Sequence, residues 1–344
     1  MDDRARRARF AGAFPAGVLL TPGDTRAAEH VLQQAGVLEP EDTVTGVEQA
    51  GRGNMNLVLR ASLIDRSVVI KQARPWVERY PQIEAPPERS GVEAAFYRAV
   101  AREPAVAMRM PGCLGGAPAS GALVLEDLGR APDLTHRYAG PALSVAELEP
   151  VISYLRALHR IEARNPIFAN RAMRRLNHAH IFELPLSGAA GPDLDGICPG
   201  LEVAAGEVRS NAKVRDRAAE LGAMYLEDGR ALLHGDVHPG SVLVAGAGSR
   251  VIDPEFCFLG PPEFELGVLG AHILMTGATP SAVGDLTRRY REESSDFDPG
   301  LMRGFAGMEI IRRIIGVAQL PLEAPLERRC ELLEIGSDLL LDRA

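Results

Sequence analysis

The stretch LLHGDVHPGSVLVAGAGSRVIDPEF, residues 232–256, constrains this chain more than any other. Two short β-leaning runs, VLV and RVI, flank AGAGS, and that pattern predicts an antiparallel hairpin whose turn is the glycine-rich segment. Folding it back brings Ser241, just before the first strand, beside Asp253, just after the second. Asp236 lies on the adjoining loop at the same open end, and Glu255 follows as a fourth oxygen donor. Hard oxygen ligands of this kind suit Mg2+, which takes one or two carboxylates together with substrate phosphates and water rather than a closed protein cage. Asp236 is then left to accept a proton from a hydroxyl. Taken alone, HGD reads equally well as an ordinary polar loop; the second acidic motif, joined to it by the hairpin, favours chemistry.

The same loop offers His234, Asp236 and His238 as ligands for zinc or a binuclear centre. Such a centre needs further ligand clusters, and His136, His159, His178, His180 and His272 do not form a companion set. The two loop histidines are therefore expected to brace the loop by hydrogen bonds. Cys113, Cys198, Cys257 and Cys330 are scattered, without a CxxC pair, and read as reduced, mostly buried thiols of a cytoplasmic protein. The arginine-rich head is broken by Pro15 and glycines and shows no cleavage site. A net charge of −8 argues against nucleic acid or an anionic membrane as partner, and no segment has the apolar length to span a bilayer.

Strand signals crowd the first third of the chain. VTGVEQAGRGNMNLVLRASL and RSVVIKQA predict an antiparallel meander, preceded by a short helix in TRAAEHVLQQAGVL. RPWVERYPQIEAPPERS is proline-broken and expected as a loop; SGVEAAFYRAVAREP is expected as a helix capped by Ser90. GALVLEDLG reads as the last strand and the hinge, after which helices dominate, among them VAELEPVISYLRALHRIEA and MEIIRRIIGVAQL. The expected layout is α+β and bilobal: residues 1–40 an N-terminal extension and helix, 41–128 a small antiparallel-sheet lobe that binds nucleotide, and 129–344 a larger, mainly helical lobe for catalysis and acceptor binding.

In the first lobe, the turn GRGNMN with Gly51, Gly53 and Asn54 could approach a polyphosphate through its backbone. Positive charge in this chain is almost all arginine, and Lys71 is one of only two lysines. At the end of the strand SVVIK it can reach Glu93 on the next helix and be held against phosphates. By itself a strand lysine is more often half of a surface ion pair. In IIRRII, Arg312 and Arg313 share a helix; one of them would ordinarily snorkel to solvent, and a buried pair needs anions nearby.

In this order, glycine turn, strand lysine, helix glutamate, LVLEDL, HGDVHPGS and DPE resemble the kinase-like small-molecule phosphotransferases, the aminoglycoside phosphotransferase and choline kinase superfamily. The resemblance is greatest to the 5-methylthioribose kinases. It rests on GRGNMNLVLR, VVIKQARPWVERYPQ, HGDVHPGSVLV, VIDPEFCFLGPPEFELG and FAGMEIIRRIIGVAQL, and spans roughly Glu48 to Leu320. It implies a protein-kinase-like fold, ATP or GTP as co-substrate and Mg2+ as cofactor. Asp236 is then the catalytic base, with Asp253 and Glu255 on the metal and Ser241 where many relatives carry asparagine. Lys71 and Glu93 position phosphates, residues from Glu126 to Leu128 give backbone contacts to the purine, and Arg312 and Arg313 contact a sugar acceptor. A homodimer is also implied. Pro239 stands where 5-methylthioribose kinases have threonine, and Glu265 where they have aspartate. The acceptor expected is 5-methylthioribose. The alternative within the same chemistry is an antibiotic or nucleoside-natural-product phosphotransferase conferring resistance, and outside it a silent kinase-like binding module.

Overall fold

Period-two alternation in LVLRAS and SVVIKQ builds the first sheet: Leu57, Leu59 and Ala61 of one strand and Val68 and Ile70 of the next turn inward together. The computed structural model describes residues 2–51, 53–188, 191–246, 248–291 and 296–343. They form two compact units, Met1–Ala131 and Pro132–Ala344.

In the first unit, helices α1 (Asp3–Ala13) and α2 (Thr25–Gln34) precede the strands β1 (Gly46–Gln49), β2 (Leu57–Ser62) and β3 (Ser67–Gln72). The small hairpin β4 (Trp76–Val77) and β5 (Tyr80–Glu84) follows, then helix α3 (Arg89–Val100) and strands β6 (Cys113–Ala117) and β7 (Ala122–Glu126). The main sheet has the order β1-β2-β3-β7-β6 and is antiparallel throughout. α2 lays Ala28, Val31 and Leu32 onto the same core as the strands, so residues 1–40 contain a core helix of this unit.

The segment after β3 is not a plain loop: Trp76 pairs with Glu84 across a short hairpin, and the buried Trp76 ring, with the Arg74 guanidinium over it, anchors the segment despite its prolines. Ser90 is not the cap of α3; Glu88 holds that position without a side-chain cap bond, and the Ser90 hydroxyl donates to the Pro87 carbonyl.

The second unit is mostly helical. Its site is built on α4 (Val145–Leu158), α5 (Arg171–His178), α6 (Pro262–Met275), α7 (Pro299–Ile315) and α8 (Leu326–Leu340), with strands β8 (Ala231–Leu233), β9 (Val242–Ala245), β10 (Gly248–Val251) and β11 (Phe258–Gly260). α7 is buried almost along its whole length, from Met302 to Ile315, between α6 and α8. Close approach on the α8 side requires glycine: a Cβ at Gly307 would lie 2.3 Å from the Gly336 carbonyl oxygen. No described helix is long and apolar enough to cross a membrane. Of the thiols, all free, only Cys257 is buried; Cys113 is exposed and Cys198 and Cys330 are intermediate, which corrects the expectation of mostly buried cysteines.

Candidate active site

Lys71 sits in β3, the middle strand of the first unit's sheet, and its Nζ donates to Glu93 of α3 at 2.8 Å. Both side chains are buried, 6% and 2% exposed, so this is not the surface ion pair that a strand lysine more often makes. The turn between β1 and β2 carries Gly51, Gly53 and Asn54; Arg52 lies outside the described residues. Gly53 has no room for a side chain, since its Cβ would lie 2.2 Å from the Asn56 carbonyl oxygen. The turn is secured by a residue that the sequence did not single out. Arg89, first in α3 and fully buried, donates to Asn56 Oδ1 at 2.9 Å, to the Met55 carbonyl at 3.0 Å and to the Arg74 carbonyl at 2.8 Å. The β4–β5 turn adds Arg79 N–H donating to the Asn54 carbonyl at 3.0 Å.

Glu126 ends β7 and accepts from Gly112 N–H at 3.0 Å; Leu128 is half-buried two residues on. Between them Asp127 clamps the segment. It takes Arg60 in a two-pronged contact at 2.6 and 2.9 Å, the Ser67 hydroxyl at 2.6 Å and the Gly129 N–H at 2.9 Å. These bonds, Arg60 first, hold its carboxyl at about 2.

In the second unit, VLV and RVI form the antiparallel pair β9–β10, with Val242 opposite Val251. Ala247, in its turn, lies outside the described residues. The ladder ends where Ile252 N–H donates to the Ser241 carbonyl at 2.9 Å, which sets Ser241 beside the start of the DPE motif. Asp253 follows with φ at +74°, a left-handed backbone uncommon outside glycine and tolerated best by Asp and Asn. It is half-buried, and Glu255 is buried.

The Ser241 hydroxyl serves the loop itself. It accepts His238 N–H at 2.9 Å and shares its one proton between the His238 carbonyl at 2.9 Å and the Asp236 carbonyl at 3.1 Å. The loop histidines brace the turn: His238 Nδ1 accepts Gly240 N–H at 3.0 Å, and His234 Nε2 donates to the Ile252 carbonyl at 3.0 Å. Burial pushes the His238 ring down to about 3, so it is neutral at physiological pH.

Glu265, in the first turn of α6, fixes the loop from below. It accepts His234 N–H at 3.1 Å and Gly235 N–H at 2.7 Å, and His159 Nε2 at 2.9 Å. Gly235 has φ at +90°, and a Cβ there would lie 2.3 Å from the Phe256 carbonyl oxygen, so only glycine can carry the chain into Asp236.

Asp236 Oδ1 stands 3.2 Å from Arg313 and 3.4 Å from Arg312, one terminal nitrogen of each. The Asp236 side chain is 25% exposed, while both arginines are buried. Neither arginine snorkels; the anion that keeps them inside is Glu309, one turn earlier on α7, which the sequence reading missed. Arg313 Nε donates to Glu309 Oε1 at 2.7 Å, Arg312 donates to Oε1 at 3.1 Å and through Nε to Oε2, and His272 Nε2 lies 3.1 Å from Oε1. The signal was present as spacing, since 309, 312 and 313 lie on one helical face. Burial works against the charge of Glu309, but the two guanidiniums outweigh it and hold the carboxyl well below its usual range. Asp236 is lowered in the same way: burial works against its charge, and the guanidiniums of Arg313 and Arg312 outweigh it.

Among the described residues no three His, Cys, Asp or Glu side chains form a ready metal cage. Asp253 and Glu255, two hard carboxylates at the open end of a hairpin, fit an ion that completes its shell with phosphate and water.

The model of the phosphotransferase enzyme family matches residues 59–305, well over half of the chain. Among curated proteins the chain is 28% identical to a methylthioribose kinase of Exiguobacterium sibiricum, over 86% of this chain and 88% of that one. It is 26% identical to a methylthioribose kinase of Pectobacterium atrosepticum, over 92% of each. Among solved structures, spectinomycin phosphotransferase with ADP and spectinomycin superposes with a TM-score of 0.54 at 13% identity, covering 88% of this chain and 94% of that one. An ethanolamine kinase of Plasmodium vivax gives 0.50 at 10% identity, over 100% and 94%. At such identities the structures speak for a kinase-like fold alone, α+β with a five-stranded antiparallel sheet and a helical majority. The family match, together with relatives aligned over most of their length, settles the reaction class: this chain belongs to the phosphotransferase enzyme family and is a kinase with an alcohol group as acceptor.

Proposed function

We propose that this protein transfers the γ-phosphoryl group of ATP to a hydroxyl of 5-methylthioribose. The observation that supports the acceptor best is the charge balance around Asp236. Two carboxylates, Asp236 and Glu309, meet two guanidiniums, Arg312 and Arg313, while His238 and His272 are driven towards the neutral form by burial. Such a cluster has no surplus acid to attract a polycationic antibiotic, and a neutral pentose needs none. The methylthioribose kinases that the chain resembles over most of its length point the same way.

Asp236 would orient the acceptor hydroxyl. Its lowered carboxyl makes it a weak base, which suits a loose transition state in which the proton leaves late. Arg312 and Arg313 each direct a nitrogen to Asp236 and would meet the charge that gathers on the transferred group. Lys71, steadied by Glu93, would bind phosphate oxygens, the turn with Gly51, Gly53 and Asn54 would cover them, and backbone groups from Glu126 to Leu128 would bind the purine. Asp253 and Glu255, with the loop hydroxyl of Ser241 nearby, would hold Mg2+; bound there, the ion neutralises charge on the nucleotide phosphates.

The test is a phosphotransfer screen of 5-methylthioribose, other pentoses and a panel of aminoglycoside, spectinomycin-type and nucleoside antibiotics, each with ATP and with GTP. The expected result is turnover of 5-methylthioribose. Phosphorylation of an antibiotic with 5-methylthioribose untouched overturns the acceptor, and tight nucleotide binding without any transfer returns a silent binding module.

A further inference from the structure

A second layer of buried polar residues lies behind the arginine pair. Tyr138 OH is 2.6 Å from His272 Nδ1, and His272 Nε2 is 3.1 Å from Glu309 Oε1. Tyr138, His272 and Glu309 are all buried, and the His272 ring stacks on that of His238 with centroids 5.2 Å apart.

The direction of each bond follows from the chemistry of the groups. An ionised carboxylate can only accept, so His272 must donate its Nε2–H to Glu309. A neutral imidazole has one donor and one acceptor, so Nδ1 must accept, and Tyr138 must be the donor to it. Proton order is thereby set along three residues drawn from the 3-10 helix Leu134–Tyr138, α6 and α7. At the far end, Glu309 takes the Nε–H of both arginines, which fixes the rotation of each guanidinium and leaves a terminal nitrogen of each turned to Asp236. A lone buried carboxylate could satisfy two arginines in several orientations; one whose Oε1 also receives His272 has far fewer.

We propose that Tyr138, His272 and Glu309 are positioning residues for acceptor phosphorylation: a buried chain of hydrogen bonds that locks Arg312 and Arg313 in the orientation in which they meet Asp236. The proposal rests on the reading of Asp236 and the arginine pair as the acceptor side of a phosphotransferase. It adds that the orientation of the pair is imposed by residues that touch neither substrate nor nucleotide.

The experiment compares the full-length wild type with His272→Leu, His272→Gln and Tyr138→Phe, using whichever acceptor the screen identifies. Nitrogen-15 spectra of the arginine Nε–H groups form a second readout that needs no acceptor. Leucine fills the space but can neither donate nor accept; it is expected to lower kcat/KM for the acceptor by about 30-fold, with the KM for ATP within about twofold of wild type. Glutamine, which can do both, is expected to recover all but about fivefold of that loss, and Tyr138→Phe to cost about fivefold. In the spectra, the Nε–H signals of Arg312 and Arg313, protected from exchange in the wild type, lose protection in His272→Leu. If His272→Leu keeps the acceptor kcat/KM within about threefold and both protected signals, or weakens ATP as much as acceptor, the chain is mere packing and the proposal fails. Should the leucine variant not fold, Tyr138→Phe decides on the same readouts. Unchanged kinetics and spectra there overturn the proposal. Loss of protection in a protein whose wild type leaves 5-methylthioribose unphosphorylated sinks that acceptor and supports the chain.

Discussion

Asp236 owes its character to its neighbours. The guanidiniums of Arg313 and Arg312 keep it ionised, and a carboxylate held this way orients a hydroxyl better than it strips one. Asp236→Asn is therefore expected to lower kcat by about 100-fold to 10,000-fold while leaving the dissociation constant for ATP nearly unchanged, measured by steady-state kinetics and by titration calorimetry. Near-normal turnover in that variant removes Asp236 from the mechanism. His238 makes the opposite case, a titratable group beside the site that does not titrate in the working range. Its ring is pushed down to about 3, so its carbon-13 shifts should stay flat from about pH 8 to pH 5. A transition near the unperturbed value of about 6.5 would show that the ring is wetter than its burial implies. At this scale the sequence was legible where a residue type is rare or a motif is dense: Lys71 stood out among arginines, and HGD and DPE announced acids. Arg89, Asp127 and His272 were not legible, because each is an ordinary letter whose meaning comes from partners far along the chain; Glu309 was legible only as a spacing, three and four residues before its arginines.

Among the elements, the strand pair β9–β10 was readable from two β-leaning triplets around a glycine turn, since strand propensity and turn chemistry are local. The hairpin β4–β5 was not, because its prolines argue for a loop and only the burial of Trp76 overrules them. Glu265 belongs at this scale also, as the place where one helix fixes one loop. Its two oxygens receive consecutive backbone N–H groups of residues 234 and 235, a geometry that an amide cannot reproduce with both of its atoms. Glu265→Gln is expected to cut kcat by about 10-fold to 100-fold with ATP affinity kept, because Asp236 is attached to the segment that loosens. Gly235→Ala is the harsher change. It forces a side chain into the Phe256 carbonyl at a positive φ, and the urea midpoint should fall by more than about 1 M. If Gly235→Ala unfolds at the wild-type midpoint, the tight loop described at this position is wrong.

For the whole molecule, acid sensitivity is concentrated in the second unit. His234, His238 and His272 are buried there and held below their ordinary value, chiefly by burial. A histidine with a depressed folded value keeps its contribution to stability above the unfolded value of about 6.5, and loses it progressively as pH falls towards the folded value. The unfolded chain takes up protons in that window that the fold refuses. Lowering the pH from about 7.5 to about 5.5 should therefore reduce the urea midpoint of the helical circular-dichroism signal by at least about 0.5 M. Trp76, the sole tryptophan, lies in the first unit and gives a separate fluorescence signal for its unfolding. A helical midpoint that holds steady or rises on acidification would contradict the burial of these rings.

The central helix α7 also bears on how such an enzyme can change over generations. Its trio of Arg312, Arg313 and Glu309 is buried and comes into charge balance only with Asp236 beside it, and removing a single member leaves a stranded charge that costs about 3–5 kcal/mol, a large part of an ordinary protein's margin. Lineages that drift towards new acceptors are thus steered away from this trio and towards the more exposed positions around it, so the innermost machinery persists while tastes at the rim diverge.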